Sequence, residues 1–454
     1  MYLTKELFVI PNGEKFILYA PLKGAIAEVG GKTVQLLKRL KTGRDIGGLE
    51  TQLEPLRKVG IVTDGETPIE SYIPRQGYNP TAVTLIPTLN CNLKCVYCYS
   101  NAGGEVGGVM DIEVARSALN FVIENASNYY NSLGSGQHSE IRKIGLVFHG
   151  GGEPFLPGNM DLVKDAVKYF KDRAALFNFV PDVVATTNGF MNHSTLEWVV
   201  KNFDDLNISL DGPRDIQNRQ RPTKLGGSSF DQVMNTIRYL ENLKFSYTLR
   251  ATITKESVSR MPEIAEFFSS ISSKNHFKME PLFECGRCKT TKTEAPDPKD
   301  FIRYMVEAKK VAEVSGRTIN YSGSILDGIY DCFCSSLDKG FFCVLPDGTA
   351  TSCLEVCRED DPRAEIFIIG KYDKSTKKFV FYQDRIQRLR TRNVDNIHSC
   401  KECFAKYQCA GECPSKCYMQ TGDIFDPSAN GRCEMTQGLI KDALLEKLKG
   451  GDKK

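Results

Sequence analysis

Asn90-Cys91-Asn92-Leu93-Lys94-Cys95-Val96-Tyr97-Cys98-Tyr99-Ser100 sets three cysteines in the spacing C-x3-C-x2-C. The string follows Ala82-Val-Thr-Leu-Ile86, a short run of apolar and β-branched residues that reads as a strand. Cysteine thiolates are the usual ligands of iron–sulfur clusters, and a cubane takes one ligand for each of its four irons. Three closely spaced cysteines therefore leave one iron open to a ligand that reacts. A structural zinc site asks instead for four closed ligands, commonly in C-x2-C pairs. Three buried or free thiols without a metal are the plain alternative.

Composition narrows the setting. A chain of 454 residues has room for two or three domains. Its 41% hydrophobic and 25% charged residues are those of a globular protein. No run of eighteen apolar residues occurs, and Met1-Tyr-Leu-Thr-Lys-Glu6 lacks the apolar segment of a signal peptide. A cytoplasmic protein without membrane contact is expected. Sixteen cysteines are many for a reducing compartment, where disulfides rarely persist, so metal or redox use is expected of them. The net charge of +3 comes from lysines and arginines spread along the chain, which gives no nucleic-acid footprint. Lys164, Lys168 and Lys171, at helical spacing, read as a solvated face, as does the Lys453-Lys454 end.

From Thr81 to about Val314 short apolar runs alternate with helical patterns. Strands are expected at Val83–Pro87, Ile144–Phe148, Val183–Thr187, Leu206–Leu210, Tyr247–Ile253 and Phe277–Leu282. Helices are expected at Ile112–Asn125, Leu162–Ala175, Thr195–Asn202, Phe230–Leu243, Met261–Phe268 and Pro298–Val314. Six β-α repeats with right-handed crossovers build a parallel sheet with helices outside, an α/β partial (β/α)6 TIM-like barrel. Ligands of such sheets bind at the carboxyl ends of the strands. There the sequence sets His149-Gly-Gly151-Gly152-Glu153-Pro154 after the second strand and Ala185-Thr-Thr-Asn-Gly189 at the end of the third. The fourth ends Ile208-Ser209-Leu-Asp211-Gly-Pro213, followed by Arg219 and Arg221. Glycines let backbone approach a ligand, Glu153 offers a carboxylate to an ammonium group, and an arginine can hold a carboxylate bidentately. A plain turn, a helix cap and a solvated arginine are the alternatives.

With these strand ends, C-x3-C-x-aromatic-C resembles the signature of radical S-adenosylmethionine (SAM) enzymes. The resemblance implies a [4Fe-4S] cluster on Cys91, Cys95 and Cys98, whose open iron chelates SAM, with Tyr97 part of the same motif. It implies that Gly151, Gly152 and Glu153 hold the methionyl amine. Ser209 and Asp211 lie near the ribose in that reading, and Arg221 near the carboxylate.

Eleven of the sixteen cysteines fall in the last third. Cys400, Cys403, Cys409 and Cys413 form C-x2-C-x5-C-x3-C, with Cys433 beyond. Upstream, Cys334 precedes Gly348, which leads Cys353 as G-x4-C across a hairpin expected at Phe341–Leu345 and Thr349–Ser352. Together these seven cysteines resemble the SPASM domain, a two-cluster iron–sulfur extension of radical SAM enzymes that act on peptides. The resemblance implies an outer cluster on Cys400, Cys403, Cys409 and Cys433 and an inner one on Cys334, Cys353 and Cys413, three clusters in all. Cys332, Cys343 or a substrate thiolate are candidates for the fourth inner ligand, and a zinc site is the alternative. Cys285 and Cys288, after the sixth strand, read equally as a hydrogen-atom donor, a ligand pair, a redox pair or incidental.

At the amino end, Leu7-Phe-Val-Ile10 and Phe16-Ile-Leu-Tyr19 read as strands, Gly31–Leu40 and Ile46–Val59 as helices, and Gly60-Ile-Val-Thr63 as a strand. The order is winged-helix-like and resembles the leader-recognition unit of peptide-modifying enzymes, which captures a leader by strand addition; a cap over the barrel fits as well. The expected domains are 1–75, 76–315, 316–440 and a tail, 441–454, with Pro68–Pro80 as linker. The implied enzyme is a maturase of ribosomally made precursor peptides, making a cysteine thioether, with flavodoxin or ferredoxin as electron donor. Carbon–carbon cross-linking, other peptide oxidation, anaerobic sulfatase maturation and a non-catalytic electron carrier are the competing readings. Sulfatase maturases carry, by resemblance, an aspartate directly after the inner-cluster cysteine, where this chain has Leu354 and then Glu355.

Overall fold

The computed structural model describes residues 1–44, 46–65, 78–103, 108–132, 141–325, 328–334, 342–428 and 431–451. The chain divides into two compact units. One comprises Met1–Pro74, Gly323–Phe333 and Asn393–Lys454, and the other Arg75–Ser322 and Cys334–Arg392. All but the last three residues of the expected linker lie outside the described residues.

The first unit begins with β1 (Tyr2–Leu3), β2 (Phe8–Asn12), β3 (Lys15–Ala20), β4 (Ala25–Gly30), α1 (Gly31–Lys41), α2 (Glu54–Lys58) and β5 (Val62–Thr63). β2, β3 and β4 form an antiparallel meander, and β1 pairs with β5. Leu18, Ala20 and Ala25 pack on Leu36, Leu37, Leu53 and Leu56. The strand β4 is additional to the expected order. Ala25-Ile-Ala-Glu-Val carries only a faint alternation of small residues, and pairing to β3 makes it a strand.

The second unit holds one sheet of eleven strands among the described residues. Its parallel part runs β6 (Ala82–Leu85), α3 (Ile112–Ser132), β7 (Lys143–Phe148), α4 (Met160–Leu176), β8 (Val180–Thr187), α5 (His193–Asn202) and β9 (Asp205–Ser209). It continues with α6 (Arg214–Gln220), α7 (Phe230–Asn242), β10 (Tyr247–Ile253), α8 (Met261–Ile271), β11 (His276–Pro281), α9 (Cys288–Thr291), α10 (Pro298–Val314) and β12 (Thr318–Asn320). Strands β6 to β12 lie side by side in chain order, each parallel to the next. All six expected strand–helix repeats form, and β12, with Ile319 its only apolar residue, adds a seventh strand at one edge. At the other edge β13 (Phe342–Val344) pairs parallel with β6 and antiparallel with β14 (Thr349–Thr351), which is the expected hairpin. Then come α11 (Ala364–Phe367), β15 (Ile368–Asp373), β16 (Lys378–Phe381) and α12 (Gln383–Arg390). Val83, Leu146, Val183, Leu206, Leu249 and Phe277 are buried on one face of the parallel strands, where the pairing register aligns them, and β7, β8 and β9 alternate buried with less buried residues accordingly.

The first unit is completed by α13 (Lys406–Cys409), α14 (Pro414–Thr421) and α15 (Gly431–Gly451). The segment expected as a tail from residue 441 continues α15. Ile440 and Leu444, four apart on one helical face, are buried against Phe8, Ile10, Ile17 and Tyr19. The cysteine-rich region expected at 316–440 is accordingly shared between the two units. No helix among the described residues is long and apolar enough to cross a membrane.

Candidate active site

Beyond β6 the chain turns into the cysteine loop. Burial pushes the Cys91 thiol up to about 12 and the Cys95 thiol to about 11. Such thiols become thiolates when a cation binds them. The loop aims donors at the sulfurs: the Leu93 amide at Cys91 Sγ (3.4 Å), Asn188 Nδ2 at the same sulfur (3.6 Å), and the Ala102 amide at Cys98 Sγ (3.4 Å). N–H donors around cysteine sulfurs are the surroundings of a cluster ligand, and this donor set fits one.

The loop after β7 meets the cysteine loop backbone to backbone. The Glu153 amide donates to Asn90 O at 2.8 Å, Tyr99 Oη donates to Gly150 O, and Ser100 Oγ to Gly151 O. A Cβ on Gly152 would overlap the Asn90 backbone, so the contact needs that glycine, whereas one on Gly151 would meet the tip of the Leu89 side chain. Glu153 is 3% exposed, and its carboxylate accepts from Thr187 Oγ1 (2.7 Å), the Asn188 amide (2.8 Å) and the Phe155 amide (3.2 Å). Burial raises its pKa, and these donors oppose the rise. The end of β8 therefore orients Glu153.

A second network lies behind Cys95. Tyr97 Oη donates to Asp211 Oδ2 (2.5 Å) and accepts from Arg221 Nη1 (2.7 Å). Asp211 is fully buried and also accepts from Gln220 Nε2 (2.8 Å) and the Thr252 amide (3.1 Å). Three of the expected site residues thus meet, with Asp211 committed to protein donors. Arg221 is 8% exposed and its Nε has no partner among the described residues. A ligand carboxylate is one group that would satisfy such an N–H. Ser209 closes β9 opposite Arg250. His149 is held neutral, its pKa depressed to about 4 by burial.

The main residues beyond the expected set lie between Cys285 and Cys288. The Arg287 amide donates to Cys98 O (2.9 Å), and its guanidinium donates to Cys95 O (2.9 Å), Asn101 Oδ1 (3.1 Å) and Ala102 O. Gly286 has φ +59°, and a Cβ there would run into Cys98 O and Tyr99 O. The pair itself makes a turn, with Cys288 Sγ donating to Cys285 O at 2.9 Å. The two cysteines drew notice in the sequence, yet the residues between them brace the loop. A glycine and an arginine in a C-x2-C string were the only available signal.

Among the carboxy-terminal cysteines, Cys409 in the first unit is buried beside Cys400, Cys403 and Cys433, whose charges, with that of Glu412, add to the burial that raises its thiol pKa. Glu412, 0% exposed, accepts from Arg432 Nε at 2.8 Å. No three His, Cys, Asp or Glu side chains among the described residues close on one point as a lone metal ion requires. In a cluster each thiolate meets its own iron, so the sulfurs stand apart. Cys413 and Cys332 belong to the first unit, and Cys334, Cys343 and Cys353 to the second. Glu355 Oε2 accepts from the buried Arg363 at 3.1 Å.

Residues 85–268 match the Radical SAM superfamily. A cysteine-type anaerobic sulfatase-maturating enzyme of Clostridium perfringens (strain 13 / Type A) is 20% identical over 342 residues, 71% of this chain and 85% of that one. The solved structure of anSMEcpe with bound AdoMet aligns at a TM-score of 0.61 and 17% identity, covering 82% of this chain and 96% of that one. Streptococcus suis SuiB bound to precursor peptide SuiA aligns at 0.54 and 13% identity, covering 92% and 97%. At these identities the likeness to the solved structures is one of fold.

Proposed function

From the radical SAM domain that this chain carries, and that makes it an enzyme, we propose a maturase that cross-links a ribosomally made precursor peptide, with a cysteine thioether as product. The observation that carries the reading is the meeting of the Cys91–Cys98 loop with Gly151, Gly152 and Glu153 at the strand ends. When bound, a [4Fe-4S] cluster and SAM supply a 5′-deoxyadenosyl radical, which takes hydrogen from an unactivated carbon. The protein binds and orients the reactants and excludes water. Cys91, Cys95 and Cys98 would hold the cluster. The oriented Glu153 carboxylate retains acceptor capacity for an ammonium group, and Arg221 Nε, buried without a partner among the described residues, would take a carboxylate. Tyr97 and Asp211 hold Arg221 in place, and Ser209 would meet the ribose.

The two further cysteine sets would hold auxiliary clusters, which would supply an acceptor for the electron released on oxidation. Cys400, Cys403, Cys409 and Cys433 would hold the outer one. Cys334, Cys353 and Cys413 would hold the inner one, with Cys332, Cys343 or a substrate thiolate as candidates for its fourth ligand. The amino-terminal meander is the proposed leader-recognition element. The peptide-bound SuiB structure supports a peptide substrate.

Sulfatase maturation is the second reading, favoured by the C. perfringens relative. Against it, Glu355, the carboxylate nearest the expected aspartate position, is paired with Arg363. The test is anaerobic incubation of the reconstituted enzyme with SAM, reductant and cysteine-containing precursor peptides, followed by mass spectrometry. The expected product has lost two hydrogen atoms and its cysteine resists alkylation. An aldehyde at cysteine would establish the second reading, and no 5′-deoxyadenosine at all would refute both.

A further inference from the structure

The pairing register lines up Ser209, Arg250, Lys278 and Asn320 on the adjacent parallel strands β9 to β12. Residues opposite one another in a sheet share a face. The other face carries Ile208, Leu249, Phe277 and Ile319, all buried, with Phe277 packed on Phe268 of α8. The Ser209 row therefore belongs to the inner face, turned away from the helices. Arg250 is exposed there and Lys278 half-buried, and neither forms an ion pair or a side-chain hydrogen bond among the described residues. Glu280, two residues beyond Lys278 on the same face, accepts from the Ser322 amide on one oxygen (3.0 Å) and from the Ser322 hydroxyl on the other (2.8 Å). His149 is kept neutral by burial and further by the Arg250 charge, so it adds no third cation.

Either cation alone is explained as a solvated side chain. In register on strands about 4.8 Å apart, the two like charges repel and cost stability, and no acid among the described residues offsets them. A guanidinium fork beside an ammonium group is complementary to one carboxylate. Ser209, in the same row, is the residue proposed to meet the ribose, so an anion held by this pair stands next to the proposed SAM site. The carboxylate of SAM itself has Arg221 in that reading, and an unmodified peptide carries negative charge only as carboxylate. We propose that Arg250 and Lys278 hold a carboxylate of the peptide substrate, from an acidic side chain or from its carboxy terminus. The pair thereby selects which stretch of peptide meets the SAM site. The inference rests on the peptide-modifying reading and names its substrate class, peptides with a carboxylate close to the modified residue.

The test uses the reconstituted, SAM-loaded holoenzyme and three alanine-rich pentapeptides, with affinities read by anaerobic calorimetry. One peptide has a central aspartate and an amidated end, one a central asparagine and an amidated end, and one a central asparagine and a free carboxy terminus. Wild type should bind an acidic peptide roughly tenfold or more tighter than the neutral one, as charge-assisted hydrogen bonds supply. The tighter of the two acidic peptides names the source of the carboxylate. R250Q/K278Q should lose the preference, and R250K/K278R should keep most of it. R250E/K278E should bind a central-lysine peptide over the aspartate one, an inversion that a misfolded protein cannot produce. Equal affinities for the three peptides in a wild type that binds SAM, or no peptide binding at all, would overturn the carboxylate site alone. A preference that survives in R250Q/K278Q would overturn it too, and a loss of SAM affinity there would then assign the pair to SAM. If wild type binds no SAM, the functional reading falls first and this inference with it.

Discussion

Asp211 accepts three hydrogen bonds without exposure to water, and through Tyr97 it fixes the position of Arg221. An asparagine has one acceptor oxygen where the carboxylate has two, so one buried donor must go unsatisfied. Asp211→Asn should cost about 1–3 kcal/mol in denaturant unfolding and weaken SAM binding measured by calorimetry. His149 gives a pH prediction. Its folded pKa of about 4 lies below the usual value of 6.5. The unfolded chain therefore binds the extra proton first, and stability falls as pH drops from 6.5 toward 4. His149→Gln should flatten that slope in unfolding midpoints taken from pH 7.5 to 5. An unchanged slope would assign the pH dependence to other groups. Asp211 was legible as a polar strand end, but its partners were not, since Gln220 and Thr252 reach it from α6 and β10.

At the scale of elements, the short turn before α9 braces a loop nearly two hundred residues earlier. Gly286→Ala would drive a methyl group into Cys98 O and Tyr99 O while leaving the sheet intact. The expected result is a protein of unchanged circular dichroism that retains about four fewer irons, one cluster's worth. Full iron content would show that the turn can move without consequence for the loop. The six strand–helix repeats were readable because apolar periodicity reports burial directly. The weak strands β4 and β12 were not, because pairing to a neighbour makes them strands.

At the scale of the molecule, Cys400, Cys403, Cys409 and Cys433 all belong to the first unit, and the cysteine loop to the second. Replacing those four by serine should lower reconstituted iron from about twelve to about eight while leaving the SAM-binding cluster in place. Mössbauer spectroscopy with and without SAM would follow both. A zinc-loaded wild type with about four irons would reject the auxiliary clusters. The packing of the chain end was hidden, because Leu444 sits in a stretch that reads as a tail until Phe8 and Ile17 cover it together with Ile440.

Strand–helix periodicity determined the sheet by itself, and cysteine spacing with the Gly-Gly-Glu string marked the radical SAM signature, since each is a local pattern with a local physical cause. Which residues brace the loop and which carboxylates are paired were decided only by tertiary structure. Arg287 and Glu355 are ordinary polar residues in sequence. Their roles come from partners that the fold brings within hydrogen-bonding or electrostatic reach, and no periodicity along the chain encodes such neighbours.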